Sequence, residues 1–258
     1  MTMPVLFIGH GSPMNAISDN DFTRALQACG RNLPKPRAIL AISAHWETQG
    51  TQILSSKQPP KINDFYGFPP MLSDIAYRPL GSPEMAAATQ ALLPGSRLSE
   101  TWGIDHGTWS VARHLFPKAD VPIYQLSLSR GLSKAQHYAM GQALRPLRAQ
   151  DVLILGSGNI CHNLRQIKVD TAPLPWNIEF DAAIADALRT GRYQDVINYG
   201  DKFLLLASQA MPSDEHFLPL LYALGASSQE DEMTMLYEGY ELAAISLRSI
   251  MWQARKEN

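Results

Sequence analysis

Only two cysteines, Cys29 and Cys161, occur in 258 residues. That is too few for a disulfide scaffold and the wrong number for a four-cysteine zinc module, so both read as reduced thiols of a cytoplasmic protein. Charge is scarce as well. Asp, Glu, Lys and Arg make up 18% of the chain, against roughly 25% in ordinary soluble domains. The deficit implies extensive burial, to which a homo-oligomer interface would contribute. Basic residues (22) nearly cancel acidic ones (24), for a net charge of −2. That balance argues against nucleic-acid or membrane-surface partners, because phosphate binding needs concentrated Lys and Arg. No Lys or Arg precedes Arg24, so the apolar start lacks the basic region of a signal peptide. No apolar run approaches the about 18 residues that span a bilayer.

What is present is a chain 45% hydrophobic, long enough to bury roughly three quarters of its unfolded surface without covalent staples. Short apolar runs end abruptly in small or polar residues. Pro4 to Ile8 meets Gly9-His10-Gly11-Ser12-Pro13, and Ala38 to Ser43 meets Ala44-His45-Trp46-Glu47. Val121 to Leu128 meets Ser129-Arg130-Gly131, and Asp151 to Leu155 meets Gly156-Ser157-Gly158-Asn159. Runs of this length bounded by turn residues are expected of strands buried on both faces.

Helical signals lie between them. Ser82 caps a helix through Leu93 with Pro83 at its first position, and Ser133 caps one reaching about Arg148. Pro175 to Arg189 carries helical spacing, Ser213 opens a helix out to Gly225, and Leu242 to Trp252 reads as a final strand. The alternation predicts one α/β domain over 1–258, with a central, mostly parallel or mixed sheet flanked by helices. Residues 48–80, rich in Pro, Tyr and Phe, read as an insertion or lid.

In such sheets ligands bind beyond the carboxyl ends of the strands. His10 and His45 follow the first two strands, and His162 comes seven residues after Leu155. His216 falls in the first turn of the Ser213 helix, and His106 lies in a loop leading into another helix. Imidazole is the commonest protein ligand for first-row transition metals at neutral pH, so strand-end histidines suggest a metal centre. Each also has a plainer reading as a hydrogen-bonded structural residue, and no compact motif of the HExxH kind certifies a site. Gly156-Ser157-Gly158 resembles an anion cradle but lacks a phosphate-loop pattern. Ser12 or Cys161 as nucleophile needs a base and an orienter that the sequence does not display. Asp105 and Glu47 are either orienters of their neighbouring histidines or solvated acids. His114 and His137 read as packing or surface residues, Met233 and Met235 as core fillers.

Taken together, these segments resemble the class III extradiol ring-cleaving dioxygenase superfamily, and within it the 4,5-DOPA extradiol dioxygenase-like branch. The resemblance is carried by Gly9-His10-Gly-Ser-Pro13, Ser43-Ala-His45-Trp-Glu47, Asp64-Phe-Tyr-Gly-Phe-Pro69, Asp105-His106-Gly-Thr-Trp109, Gly156-Ser-Gly-Asn159 with His162-Asn163, and Glu215-His216-Phe-Leu-Pro219. It implies a site at the strand C-terminal ends where His10, His45 and His216 bind one divalent metal, Fe(II) for the dioxygenase reaction. It implies that His162 is the acid/base and that His106 contacts oxygen or substrate. Many class III enzymes use two histidines and a carboxylate, the facial triad of Fe(II) oxygenases. A third histidine here also suits Zn(II), with His162 closing a fourth position. The implied partners are a catechol and O2, with Phe65, Tyr66 and Phe68 covering the flat substrate. Two alternatives stand beside this: a zinc-dependent hydrolase using the same histidines, and a Memo-like binding protein without enzymatic activity, against which the full histidine set argues.

Overall fold

The computed structural model describes residues 2–255. The chain runs β1 (Val5–Gly9), α1 (Asp21–Asn32), β2 (Ala38–Thr48), β3 (Gln52–Leu54), α2 (Pro70–Ser73), α3 (Pro83–Leu92), β4 (Arg97–Ser99) and α4 (His106–Leu115). It continues through β5 (Ile123–Ser129), α5 (Lys134–Leu144), β6 (Val152–Gly158), α6 (Pro175–Arg189), α7 (Tyr193–Ile197), α8 (Tyr199–Lys202) and α9 (Leu204–Ala210). The last elements are α10 (Leu218–Ala226), β7 (Asp231–Tyr237), β8 (Tyr240–Glu241), β9 (Ile245–Ser246) and β10 (Ser249–Ala254). No helix among the described residues is long and apolar enough to cross a membrane.

Eight strands form one mixed sheet in the order β4-β3-β5-β2-β6-β1-β10-β7. Its centre, β5-β2-β6-β1, is parallel, while β10, β7 and the β3–β5 pair add antiparallel edges. Every residue of β1, β5 and β6 is buried, as uninterrupted apolar runs require when both faces are covered. Alternate side chains feed two cores. Phe7, Leu40, Leu126 and Ile154 pack with Leu144, Phe180 and the apolar α10, while Leu6, Ile39, Ile123 and Leu155 pack with Phe22, Leu26 and Trp109. The result is a three-layer α/β/α domain.

The expected α3, α5 and α6 are present. Ser133 and Gln136 form a capping box at α5, whereas Ser82 holds the N-cap position of α3 without a side-chain bond. Two expectations are corrected. The helix read from Ser213 begins only at Leu218, with Pro219 in its first turn, and residues 212–217 form bends and turns. Leu242 to Trp252 is not one strand, because Leu242 and Ala243 adopt left-handed φ of 49° and 60° and reverse the chain between β8 and β9. Residues 48–80 contribute β3 to the main sheet and the short α2, so this stretch is partly built into the domain's frame.

Gly156 and Gly158 belong to β6 and not to a turn opening a helix. They let the turn into α10 press against the strand. A Cβ on Gly158 would lie 2.1 Å from the His216 carbonyl oxygen, and one on Gly156 2.5 Å from that of Pro219. Close backbone approach is what fixes His216 over the sheet. Gly158→Ala should therefore cost about 1–3 kcal/mol, the usual range for overpacking, measured by chemical unfolding. A loss below about 0.5 kcal/mol, the size of an ordinary surface change, would show that the turn is free to move.

Candidate active site

β6 is the hinge of the site. It pairs with β1 as far as Gly9↔Gly158 and with β2 as far as Ser43↔Ser157, after which β2 shifts register against β5. His10 leaves β1 one residue past that pairing, its amide donating to the Gly158 carbonyl at 3.0 Å. His45 lies inside the long β2 rather than after it. His106 is the first residue of α4, which Asp105 caps through the Thr108 amide at 3.2 Å. His216 sits in the turn pressed on Gly158, and His162 is anchored by its amide on the Ala210 carbonyl at 2.9 Å.

These five histidines meet at one place. Ring centroids of His10, His45 and His216 are 5.2–5.4 Å apart, His106 lies 4.1 Å from His45, and His162 stacks on His216 at 3.4 Å with an interplanar angle of 9°. His114 and His137 stand elsewhere, buried against the Asn15 carbonyl and the Tyr222 hydroxyl. Of the aromatic residues expected over the substrate, Phe65 packs edge-on against His106 at 5.5 Å and Phe68 against Phe65 at 5.5 Å. Tyr66 does not join them; it is 93% exposed.

Hydrogen bonds set the tautomers. Ser157 Oγ donates its only proton to the Gly107 carbonyl at 2.5 Å, so its 3.0 Å contact with His10 Nδ1 needs a proton on that nitrogen. His45 Nδ1 donates to Asp64 Oδ2 at 3.0 Å, and His216 Nδ1 to Glu215 Oε1 at 3.0 Å. In each ring the Nε2 lone pair is left facing inward. His10 and His45 Nε2 atoms are 3.3 Å apart, and His216 Nε2 is buried with no partner. The ligand atoms of these three residues all lie within 4.8 Å of one another.

Electrostatics sharpen the arrangement. Burial, then the like charges of neighbouring histidines, pushes His10 and His216 well below the usual imidazole pKa. Burial also opposes charge on His45, but the Asp64 hydrogen bond and the charges of Asp105, Asp64 and Glu215 outweigh it and raise its pKa. A proton between His45 and His10 thus satisfies the facing nitrogens when no cation does. Asp64 is partly buried, yet the N–H groups of His106 and His45 hold its carboxyl far below the ordinary range. Burial lowers His106, with Asp64 partly offsetting it, and lowers His162 to about 4.

This donor set fits a divalent metal: neutral rings oriented through their outer nitrogens, a carboxylate behind two of the three, and an orphaned Nε2. Tetrahedral ligands at zinc–nitrogen bond lengths lie roughly 3.3–3.4 Å apart, which is the His10–His45 spacing.

Two carboxylates that carry the resemblance, but to which it assigns no role, support the histidines. Asp64 accepts from His45 and from both the amide and Nδ1 of His106 at 2.9 Å. Its signal was its isolation, as the only charged residue between Lys61 and Asp74. Glu215, beside His216, is the other. Asp105 makes no hydrogen bond to the ring of its neighbour His106; it accepts from Ser43 Oγ at 2.7 Å, which in turn accepts from the His45 backbone amide at 3.2 Å. Nor does Glu47 orient His45, since it faces Arg130.

Residues 4–247 match the family described as the catalytic LigB subunit of aromatic ring-opening dioxygenase, and the chain belongs to that family of metal-dependent dioxygenases. It is 41% identical over 256 residues to the 4,5-DOPA dioxygenase extradiol of Escherichia coli K12, covering 96% of this chain and 94% of that protein. It is 36% identical to the protein of the same name from Beta vulgaris, over 94% of each chain. A crystal structure of an uncharacterized Escherichia coli K12 protein superposes with a TM-score of 0.84 at 36% identity, covering 96% of this chain and 99% of that one. The fold and family define an oxygenase enzyme.

In metal-free protein at pH 7, nitrogen NMR should show His10 and His216 as neutral rings protonated on Nδ1. An Nε2–H tautomer at either would contradict the inward-facing lone pairs.

Proposed function

We propose that this chain opens the ring of a catechol such as DOPA with O2, at the bond beside the diol, incorporating both oxygen atoms to give a semialdehyde. The observation that carries the reading is the convergence of the His10, His45 and His216 Nε2 lone pairs in a LigB-family chain. These three residues would hold the metal, Fe(II) for this reaction, with Zn(II) suited to the same donors. When bound there, the metal supplies Lewis-acid activation of a catechol hydroxyl and, as iron, the redox chemistry that engages O2.

The remaining residues divide the work. His162, stacked face to face on His216, is better placed beside the ligand set than within it. With its pKa lowered to about 4 by burial, it is a neutral base at pH 7. It takes a proton from the substrate hydroxyl and returns one as the ring opens. His106, fixed at two atoms by Asp64, presents its other nitrogen to oxygen or substrate. Phe65 and Phe68 supply a flat apolar wall that excludes water. The zinc-hydrolase and Memo-like alternatives draw no support from relatives that are named as dioxygenases.

Anaerobic loading with Fe(II) or Zn(II), followed by O2 and a panel of catechols, tests the reaction. A yellow ring-opened product should appear only with iron and O2; none from any catechol with iron bound would favour the hydrolase. His10→Ala and His45→Ala should each abolish stoichiometric metal, and retention of a full equivalent would overturn their assignment. His162→Ala should keep the metal and lose about 10²–10⁴ in turnover, whereas loss of metal would make His162 a ligand.

A further inference from the structure

The histidines occupy only part of the sheet's C-terminal rim. Beside them, over the ends of β2 and β5, lies a cavity of about 700 Å³ lined by Glu47, Arg130, Lys134, His137, Asp214 and Glu215 among others. Two of these residues belong to the edge of the histidine site. Glu215 carries the bond to His216, and Glu47 stands two residues beyond His45 in β2, with buried Trp46 between them facing the other way. That places the Cα atoms of His45 and Glu47 roughly 6.6 Å apart along the strand, so the cavity adjoins the histidine site along β2.

Most of the cavity's charge is already committed. Lys134 Nζ lies 3.1 Å from Asp214 Oδ2 and 4.7 Å over the Tyr199 ring, and the Tyr199 hydroxyl also bonds Asp214. Glu215 is held by His216, and His137 Nδ1 by the Tyr222 hydroxyl at 3.0 Å. Arg130 differs. Its nearest carboxylate oxygen, Glu47 Oε2, is 3.7 Å away, beyond hydrogen-bond reach, and its side chain is 57% exposed. Glu47 keeps the guanidinium at the cavity without filling its donors. A guanidinium offers a rigid fork of five N–H groups that matches a carboxylate at two points.

We propose that this cavity is the subsite for a carboxylate-bearing side chain on the catechol, with Arg130 as the residue that binds the carboxylate and sets specificity for acidic over uncharged catechols. The proposal rests on the ring-cleavage reading for the identity of the ring, but its test does not need turnover. Anaerobic calorimetry on iron-loaded protein compares 3,4-dihydroxyphenylpropionate with 4-methylcatechol. The wild-type chain should bind the acid more tightly. Arg130→Met should shrink that preference roughly ten- to hundredfold, the size of a lost charge-assisted contact, and Arg130→Lys should keep part of it. Equal affinities in the wild type, or a preference untouched in Arg130→Met, would overturn the subsite. Admitting O2 afterwards separates the two claims. Arg130-dependent preference without any ring-opened product keeps the subsite and refutes ring cleavage, whereas ring opening with an Arg130-independent preference does the reverse.

Discussion

Three imidazole lone pairs turned toward one dry point form an arrangement that cannot persist alone. The His10 and His45 Nε2 atoms stand 3.3 Å apart and that of His216 has no partner, so each pair of acceptors repels the next unless a positive charge lies among them. Everything around the cluster holds the rings in that unfavourable posture. Ser157, its own proton spent on Gly107, forces a donor onto His10 Nδ1, while Asp64 and Glu215 do the same for His45 and His216. The carboxylates also supply the negative potential that makes a cation welcome at a desolvated spot. Satisfying a proton and satisfying a metal are thus alternatives, and metal binding displaces the proton.

The fold supplies this posture at little backbone cost. Parallel strands deliver their carboxyl ends to one rim, so residues distant along the chain arrive together without a compact motif. β6 is the reference strand: β1 and β2 both pair with it to the level of Ser157 and Gly158, and its two glycines admit the turn that carries His216. α4 brings His106 from the opposite layer, capped by the same Asp105 that steadies Ser43. The aromatic Phe65 and Phe68 then close over a ring already restrained by its carboxylate. One rim therefore carries a candidate metal set, two further histidines and a charged cavity.

Much of this was legible in the residues. Buried-strand runs ending at His10 and at the Gly156–Gly158 segment located the rim, because a strand covered on both faces has little choice but to be apolar throughout. The strand-end position of His45 was nearly right, although the strand carries it further than the apolar run alone indicated. Where the reading failed, tertiary contacts decided. Ser213 looks like a cap, yet residues 212–217 are bent so that His216 can press on Gly158, and helix begins only afterwards. Leu242 and Ala243 look like strand residues, but both take left-handed φ to reverse the chain. A lone acid in an aromatic loop, as Asp64 is, gives no local hint that two distant histidines share it. Tyr66 adjoins Phe65 in the sequence, but its exposure takes it away from the cluster.

Where a cation goes is decisive. Anomalous diffraction from crystals loaded with Fe(II) or Zn(II) reads this directly, independently of any substrate. One peak per chain within bonding distance of Nε2 of His10, His45 and His216 is the expected result. A peak bonded through Nδ1, or centred between Asp64, His45 and His106 instead, would contradict it.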